Sequence, residues 1–385
     1  MPQINVDAPR ILAHCFLFEL DRVIADAKNL DYARFMDDID IGVDSFKDAK
    51  QILKEIDLVL QTRQVRLNSG KTVIMSKAEA EKHFKVRENI FLDKFVARIN
   101  SKYQSELSLE RERRFTTFAL EYGFRNGTFI DGNGEKILKR LITIAARLQS
   151  KIPPPILSEI THNWPGAREH IMRYYAHMPY DKEAFQAILS YIGENRYVDD
   201  VSWLNFAKSM VSACTPRVEY IYDQLGELFD SNRPDFFEVY AKIWILSKYG
   251  NSDDLLSVLK QQFDLWAPDD ILGRLVGGLF PLFEQDGMMG SLERMIVGSN
   301  NRGAKEVLSF HRALTNEKSA YVRVRDYLRA TNPTLPNHIS HPKYLMLLTV
   351  LQGYVVEEEE RKSLIKVHHK AFSDGFYAAR LTPLV

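Results

Sequence analysis

The sequence predicts an α+β fold followed by an all-α region: a β-hairpin, a helix and a strand near the start, then a HEAT-like helical repeat array. Three observations predict it. Residues 39–43 alternate apolar and polar side chains, as in a half-buried strand. Apolar residues recur at helical spacing between Ala49 and Leu60. Beyond about residue 80 the alternation stops, and successive segments show helical periodicity with their own start and stop residues.

The hairpin is predicted from the segment Tyr32–Ile39, where an aromatic-rich stretch leads into two adjacent acids, Asp37 and Asp38. Strand-like alternation begins directly after these acids, so they fall at the bend. Two carboxylates at a tight turn can hold Mg²⁺, which prefers oxygen ligands. A structural explanation is also open, because Asp is common at β-turns, where it bonds its own backbone.

The helix predicted over Ala49–Leu60 is followed by a second strand-like stretch, around Arg66–Asn68 and Lys71–Met75. The predicted order is therefore hairpin, helix, strand. This order, with its residues, resembles the palm of reverse transcriptases.

Three motifs carry the resemblance. The family has aromatic-x-Asp-Asp on a hairpin, and the match, with Phe where Tyr is usual, is Phe35-Met36-Asp37-Asp38. The family's downstream L-N-x-x-K-T segment is matched by Leu67-Asn68-Ser69-Gly70-Lys71-Thr72. The start of the chain is similar to the family's [I/L/M]-P-Q-G…L-A-N…L-D segment, with Met1-Pro2-Gln3, Leu12-Ala13 and Leu20-Asp21. Ile4 replaces the glycine of that segment, and His14 replaces the asparagine.

The resemblance implies site residues. It gives catalytic and magnesium-binding roles to Asp37 and Asp38, and substrate-binding roles to Phe35, Met36, Lys71 and Gln3. Phe35 and Met36 would flank the primer end or nucleotide, and Lys71 would lie near the triphosphate. The implied cofactor is Mg²⁺, and the implied partners are nucleic acid (an RNA template and DNA product) and deoxynucleoside triphosphates.

The long helical tail suggests the bacterial abortive-infection and defence-associated branch of the family, and so RNA-directed or untemplated DNA synthesis in antiphage defence. In this family a third aspartate, on an earlier strand, binds the metal ions together with the hairpin acids. That strand and the fingers subdomain would precede residue 1. We therefore expect a C-terminal portion of such a polymerase, inactive without an upstream half. The alternative is a non-catalytic helical repeat protein that binds a partner or self-assembles and retains a palm remnant.

Composition is that of an ordinary globular protein: 385 residues, 45% apolar and 26% charged, with no net charge. A neutral chain binds nucleic acid only if its charges are segregated, and two arginine clusters offer this, Arg111/Arg113/Arg114 and Arg323/Arg325/Arg329. The plainer interpretation, which charge runs on helices favour, is a solvated helix face for each cluster. The only cysteines, Cys15 and Cys214, lack zinc or disulfide spacing, which favours a reducing cytoplasm. The longest apolar stretch, Tyr344–Val356, is too short to cross a membrane and predicts a buried helix.

Nine further helices are predicted in the C-terminal region: Gly134–Ser150, Pro165–His177, Asp181–Gly193, Asp199–Ala213, Pro234–Tyr249, Asp253–Trp266, Asp269–Phe283, Ala304–Leu314 and Ser319–Ala330. Their even spacing favours stacked helix pairs. Prolines disfavour helix before them, so Pro153–Pro155 predicts a boundary. The predicted domains are a partial palm at 1–76, a helical, thumb-like junction at 77–155 and a repeat domain at 156–385.

Two other motifs have competing interpretations. Asp199 and Asp200 follow Tyr197-Val198 as in the polymerase motif, but helical spacing after them predicts a helix N-cap instead. Arg361 and His368 resemble the spaced Arg and His of HEPN ribonucleases, while the plainer interpretation is a solvated, basic helix end.

Overall fold

The computed structural model describes residues 7–26, 30–193, 201–218, 221–223, 225, 235–331, 339–369 and 373–384. Two compact units form, Met1–Lys82 and His83–Val385. The described residues are mostly helical, and their one sheet has two antiparallel strands. The general class predicted from the sequence, α+β followed by all-α, is confirmed. The two units are taken in turn.

Unit 1 contains a helical pair, the hairpin and a long helix. Its elements are α1 (Asp7–Phe16), α2 (Phe18–Asp26), β1 (Asp31–Phe35), β2 (Asp38–Gly42), α3 (Phe46–Thr62) and, at its end, α4 (Lys77–His83).

Helix α3 forms where the apolar spacing predicts it. Ser45 is its N-cap: the Ser45 hydroxyl accepts a 3.2 Å hydrogen bond from the Asp48 backbone N–H. Such a cap satisfies an N–H that the helix itself leaves unpaired. The buried face of α3 consists of Ala49, Ile52, Ile56 and Leu60, one residue per turn.

One face of the hairpin packs against helices α2 and α3. The register pairs Tyr32 with Ile41 and Arg34 with Ile39, and paired residues share a face. Tyr32, Ile39 and Ile41 on that face are half-buried against a core formed by α2 and α3, with Leu20, Ile24, Ile52, Ile56 and Leu60 at its centre. The opposite face of the hairpin is exposed.

The strand predicted around Arg66–Asn68 and Lys71–Met75 is wrong. This segment forms a turn followed by irregular backbone, and among the described residues only β1 and β2 pair. Val73 and Ile74 are exposed, at 61% and 39%, so the apolar run finds no neighbour to cover it. An extended segment is a strand only when another strand accepts its hydrogen bonds, which a single segment's pattern cannot reveal.

Unit 2 is helical throughout its described residues. Its helices are α5 (Val86–Gln104), α6 (Glu110–Arg125), α7 (Gly134–Leu148), α8 (Pro154–Asn163), α9 (Arg168–His177), α10 (Lys182–Gly193), α11 (Val201–Ser212), α12 (Phe236–Tyr249), α13 (Ser252–Gln261), α14 (Phe263–Trp266), α15 (Asp270–Gly277), α16 (Phe280–Gln285), α17 (Met289–Ser299), α18 (Arg302–Asn316), α19 (Lys318–Arg329), α20 (His341–Gln352), α21 (Glu358–Val367) and α22 (Gly375–Leu381). Single 3₁₀ turns lie at Pro165–Ala167 and Thr382–Leu384.

Most of the predicted helices are present, but two of them are split. The segment Asp253–Trp266 forms α13 and α14, which part at Gln262, and Asp269–Phe283 forms α15 and α16. In the second case Gly277 and Gly278 end α15, and Pro281 lies in the first turn of α16. Proline suits a first turn because its missing N–H would be unpaired there in any case.

Two hydrophobic cores share helix α12. Ala241, Ile245 and Tyr249 belong to the core that begins at Leu92, whereas Val239, Ile243 and Leu246 belong to the core that runs on to Leu381. Tracing neighbours through these cores, α7 contacts α9, α9 contacts α11, α11 contacts α12, α12 contacts α15, α15 contacts α18 and α18 contacts α20. Each helix of this series therefore contacts the next, while α12 also packs on α13 and α20 on α16.

The proline triplet begins a helix. Pro153 is the N-cap of α8, and Pro154 and Pro155 occupy its first turn. The first core continues from residues before this point to residues after it. The division into 77–155 and 156–385 stays a prediction. In the part of the chain that the structure describes, no helix combines the length and the apolar character needed to cross a membrane.

Candidate functional site

The two adjacent acids lie at the tip of the hairpin. Met36 and Asp37 are the two turn residues, and Asp38 is the first residue of β2, paired with Phe35. Met36 has φ 60°, in the left-handed region that non-glycine residues seldom adopt. Strained backbone of this kind is often found at functional sites.

The side chains at the tip face water. Asp37 and Asp38 are exposed, and Phe35 is 79% exposed. Phe35 and Asp38, as a register pair, share the outer face of the hairpin with Asp40. Within the described ranges neither Asp37 nor Asp38 has an ion-pair partner, so both carboxylates are free to bind a cation.

Arg34 lies on the opposite, inner face of the hairpin, and its side chain contacts the backbone of the turn. Its side chain is 7% exposed and forms a two-point contact with Asp21 on α2: Nε donates to Oδ1 at 2.6 Å and Nη2 to Oδ2 at 2.5 Å. Arg34 Nη1 donates to the Met36 carbonyl at 2.8 Å. One buried guanidinium thus joins helix α2 to the strained turn residue.

Two neighbours complete this group. The Tyr32 hydroxyl donates to Asp21 Oδ1, and His14 Nδ1 lies 3.3 Å from Arg34 Nη1. Arg34 can only donate, so Nδ1 of His14 is the acceptor. His14 stands where the resembling family segment has asparagine, and Asp21 ends that segment. Asp21 falls in the family-like segment, whereas no motif in the sequence marks the roles of Arg34 and Tyr32.

The electrostatics favour the charged pair. The hydrogen bonds from Arg34, supported by that from Tyr32, hold the pKa of the Asp21 carboxyl below its usual value. The hydrogen bond to Asp21 raises the pKa of Arg34. Burial, together with Asp21, raises the pKa of Tyr32 to about 12. Asp21 is therefore ionised and Tyr32 protonated at neutral pH, which keeps the network intact.

Lys71 is presented by a separate turn. Asn68 organises this turn: its side-chain Oδ1 accepts from the Gly70 N–H at 3.1 Å, and its carbonyl accepts from the Lys71 and Thr72 N–H groups at 2.9 Å. Lys71 is exposed and forms no ion pair with any described residue. The L-N-x-x-K-T segment thus folds as an Asn-centred turn rather than a strand.

The metal-ligand set is partial in the described residues. Carboxylate oxygens suit Mg²⁺, and Asp37 and Asp38 supply two such groups. No group of three or more His, Cys, Asp or Glu side chains placed to hold a metal ion occurs in the described ranges. Gln3, the remaining predicted substrate-binding residue, lies outside those ranges, as do Asp199 and Asp200.

Arg361 and His368 are engaged with the backbone. Arg361 donates to the carbonyls of Gly353 at 2.9 Å and Leu351 at 2.5 Å. His368 is 6% exposed, follows the end of α21 and contacts the Leu328 carbonyl at 2.5 Å. Burial lowers the pKa of His368. Both side chains hold helix ends in place, and neither offers RNA a free cation or base.

The two arginine clusters are partly neutralised. Arg113 donates to the Leu148 carbonyl at 2.8 Å, and Arg114 pairs with Glu110 at 2.9 Å. In the second cluster Arg329 pairs with Glu360 at 2.5 Å and Arg325 lies 3.6 Å from Asp326. These contacts are those of ordinary helix surfaces.

A different surface of unit 2 combines aromatic and basic side chains. On α5, Arg87, Phe91 and Lys94 follow one another at one-turn spacing, and all three are exposed. On α6, Phe118 and Tyr122 are 59% and 55% exposed, with ring centroids 6.0 Å apart. Phe91 contacts Phe115, one turn before Phe118, at 5.3 Å. We call these five exposed residues the α5–α6 surface.

Neither Arg87 nor Lys94 pairs with an acid among the described residues. Beside them, Arg98 and Lys102 bind the buried Glu112, at 3.2 and 3.0 Å, which joins α5 to α6. Burial opposes the charge on Glu112, but the hydrogen bond from Lys102, a backbone hydrogen bond and the positive charges of Lys102 and Arg98 together lower the pKa of Glu112. Arg98 and Lys102 therefore join the two helices, whereas Arg87 and Lys94 remain available to a ligand.

Comparisons with protein-family models, with curated proteins and with solved structures found no match to this chain.

Proposed function

We propose that this chain is the C-terminal portion of a reverse-transcriptase-like polymerase that synthesises DNA, on an RNA template or without one, in antiphage defence. The observation that carries the proposal is the hairpin tip: two adjacent, exposed, unpaired carboxylates follow a strained turn residue that a buried arginine holds. Structural Asp side chains in turns usually bond nearby backbone, whereas among the described residues neither carboxylate has a hydrogen bond or an ion pair.

Asp37 and Asp38 would hold Mg²⁺, with Phe35 and Met36 beside the primer end or nucleotide. Bound Mg²⁺ in polymerases stabilises the attacking and leaving oxygens of the phosphoryl transfer. The residues of this chain would supply two of the ligands and, through exposed Lys71, a cation for the triphosphate. The palm assignment of unit 1 rests on this hairpin and on α3 directly after it.

Two carboxylates are too few ligands for a two-metal site, so we propose that another polypeptide segment completes it. A two-metal site needs further ligands to hold the metals a few ångströms apart, and the described residues supply no third acid at the tip. A segment carrying that acid, on the same polypeptide or another, would complete the enzyme, and the chain produced without it would be inactive.

The α5–α6 surface supports nucleic acid as a partner. Exposed aromatic rings stack on bases, and free cations pair with phosphates. The serial packing of α7, α9, α11, α12, α15, α18 and α20 supports a HEAT-like array, in which each helix is buried mainly by its neighbours.

A second candidate function is a non-catalytic helical interaction protein with a palm remnant. The incomplete ligand set at the hairpin favours it. In that case the exposed carboxylates would have no catalytic partner, and the helical array of unit 2 would carry the function.

One experiment separates the two candidates. The chain would be tagged at its native locus and purified from its own host, so that a completing polypeptide is retained. Incorporation of labelled deoxynucleotides would then be measured with Mg²⁺ or Mn²⁺. We expect incorporation by the wild type, its loss in Asp37→Asn, and its retention in the control Asp40→Asn, which changes an acid on the same exposed face. No incorporation by the wild type, or incorporation that survives Asp37→Asn, would exclude the polymerase.

A further inference from the structure

The outer face of helix α6 carries rings and cations in one line. Its members are exposed and recur at intervals of three or four residues: Arg111, Arg114, Phe118, Tyr122 and Arg125. At about 100° per residue they fall within about a quarter of the helix circumference, along a length of about 21 Å. We call these five residues the α6 stripe.

The two rings of the stripe are accessible to a flat ligand. Phe118 and Tyr122 are 59% and 55% exposed, and their centroids are 6.0 Å apart with 33° between the ring planes. Phe118 also lines a cavity of about 410 Å³ between α6 and residues 149–151. Open space of the volume found in small-molecule sites therefore lies beside this ring.

The arginines of the stripe are available to phosphate. Arg111 and Arg125 form no ion pair with a described residue. Arg114 pairs with Glu110 at 2.9 Å, but its side chain is 81% exposed, and such surface pairs contribute so little that a phosphate can displace the carboxylate. Apart from the buried Glu112, α6 carries four arginines and two glutamates, so its outer surface has a net positive charge.

The acids of this surface lie to one side of the stripe. Glu110 and Glu121 line the cavity. On the opposite side α5 packs on α6 through Phe91 and Phe115, and it presents Lys94, which is exposed and has no ion-pair partner in the described ranges. A negatively charged strand therefore meets cations both along the stripe and on its α5 side.

A single strand of nucleic acid carries the groups that match this arrangement. Its unpaired bases stack on aromatic rings, and its phosphates recur at each nucleotide and pair with arginine. In a duplex the base faces are covered by their neighbours, so the two rings would meet only the backbone. A protein partner has no such regular series of anions beside flat faces.

We propose that the α6 stripe binds single-stranded DNA, with bases stacked on Phe118 and Tyr122 and phosphates held by Arg111, Arg114 and Arg125. The choice of DNA rests on the proposed function, which makes a DNA strand. The contacts themselves involve bases and phosphates of the strand and no residue of the hairpin.

The test uses the full chain, produced alone, and a fluorescein-labelled oligothymidylate of about 15 nucleotides, with affinity measured by fluorescence anisotropy. Phe118→Leu and Tyr122→Leu keep apolar bulk but lose the ring, and each should weaken binding by about five-fold or more. Phe118→Tyr and Tyr122→Phe keep a ring and should stay within about two-fold of the wild type. Arg125→Gln should weaken binding and reduce its dependence on salt, because a phosphate contact is lost.

Two matched controls change the same residue types elsewhere in unit 2. Tyr327→Leu removes a 45% exposed ring of α19, and Arg302→Gln removes an exposed arginine of α18 that pairs with Glu306. Both should bind as the wild type does. Ultraviolet cross-linking then locates the contact: trypsin cuts after Arg114 and Arg125, so both rings fall in the peptide 115–125, which should carry the cross-linked nucleotide.

Other results overturn the inference. Duplex DNA that binds as tightly as the single strand, leucine variants that bind as the wild type does, or cross-links only in other peptides would each remove the rings from the site. An oligouridylate that binds more tightly than the oligothymidylate would exclude DNA as the preferred strand. Absence of binding by the wild type rejects the stripe and leaves the polymerase to the incorporation experiment, whereas binding that persists in Asp37→Asn without any incorporation rejects the polymerase alone.

Discussion

Arg34 Nη1 donates a 2.8 Å hydrogen bond to the carbonyl of Met36, two residues along the chain. The donor lies on the buried face of the hairpin and the acceptor in its strained turn. The pairing connects the interior of unit 1 with the exposed carboxylates of Asp37 and Asp38. The conformation of the hairpin tip therefore depends on a residue outside the family-like motif.

The conformation of Met36 gives the first prediction. Met36→Gly should slow amide hydrogen exchange in the peptide covering residues 30–42, because it removes about 0.5–1 kcal/mol of left-handed strain, while the Met36 carbonyl stays available to Arg34. Met36→Val should speed exchange, since a β-branched side chain tolerates that backbone least. Hydrogen-exchange mass spectrometry measures both. Faster exchange in Met36→Gly than in the wild type would show that the methionine side chain itself holds the turn.

The α5–α6 surface gives the second prediction. The chain should bind a short fluorescent single-stranded oligonucleotide, and Phe118→Ala should weaken binding by roughly 1–3 kcal/mol, the usual value for one stacked base. Lys94→Glu should also weaken binding and flatten its salt dependence, because a phosphate contact is lost. Fluorescence anisotropy at several salt concentrations measures both effects.

The control for that surface is Tyr354→Ala, which removes an aromatic ring that is 81% exposed but lies near the end of α20. It should leave affinity unchanged. An equal loss in Tyr354→Ala and Phe118→Ala would mean that any exposed ring contributes, and that the α5–α6 surface is not the binding site.

The hairpin shows what a single sequence can and cannot predict. Alternation locates β1, β2 and the exposed acids, because a two-stranded turn is a local structure. The same alternation puts Arg34 on the face that carries Tyr32, Ile39 and Ile41, a charged residue among apolar ones. A charged residue among apolar ones needs a partner, but which acid it is, Asp21, depends on the packing of α2 beside the hairpin and is not visible in the sequence pattern.

Longer-range structure was predicted less well. Helical periodicity located α3 and most helices of unit 2, since one buried face per helix leaves a local pattern. The strand predicted at 71–75 was wrong because Val73 and Ile74 have a strand-like composition but no pairing partner. The break between α15 and α16 was missed because helical periodicity continues across Gly277 and Gly278.

Buried histidines give a third prediction, on pH. Burial lowers the pKa of His341 to about 3 and that of His311 to about 4. Between pH 6.5 and 5 each ring takes up a proton only in the unfolded chain, so the unfolded state binds more protons and stability falls as pH falls. From pH 7 to 5, each histidine should remove about 2 kcal/mol from the free energy of unfolding of unit 2.

Urea unfolding at both pH values, followed by tryptophan fluorescence, measures this change. All four tryptophans lie in unit 2, so the signal reports that unit alone. His311→Gln should reduce the pH-dependent loss, whereas His369→Gln, which alters an exposed ring, should not. An equal loss in the wild type and His311→Gln would mean that other groups cause it.

Two glycines in helices give a fourth prediction, with opposite signs. A Cβ on Gly123 of α6 would lie 2.1 Å from the Phe129 ring, so Gly123→Ala should destabilise unit 2 by about 1–3 kcal/mol through overpacking. A Cβ on Gly298 of α17 meets nothing within 4 Å, and Gly298→Ala should stabilise the helix by about 0.5–1 kcal/mol. The same urea experiment measures both variants. A stabilising Gly123→Ala would show that the Phe129 ring moves aside without cost.

The buried pair of Lys248 and Asp374 gives the last prediction. Lys248 is fully buried, and its Nζ donates to Asp374 Oδ2 at 2.7 Å and to the carbonyls of Ala213 at 2.6 Å and Val211 at 3.2 Å. Burial lowers the pKa of Lys248, and Asp374 opposes that shift. Lys248→Met leaves a buried carboxylate without its cation and should cost roughly 3–5 kcal/mol in the free energy of unfolding.

Adding Asp374→Asn should recover part of that loss, because it removes the unpaired charge while asparagine still caps α22, where Asp374 Oδ1 accepts from the Phe376 N–H at 3.0 Å and the Tyr377 N–H at 3.1 Å. Lys260→Met, which alters an exposed lysine of α13, should change stability by about 0.5 kcal/mol or less. Tryptophan-monitored urea unfolding of the three variants gives the comparison. A double variant less stable than Lys248→Met would show that Asp374 stabilises the chain through its backbone contacts rather than through the lysine. The cost of Lys248→Met would then come from the Ala213 carbonyl, which loses its donor, since the Val211 carbonyl still accepts from the Tyr377 hydroxyl at 2.8 Å.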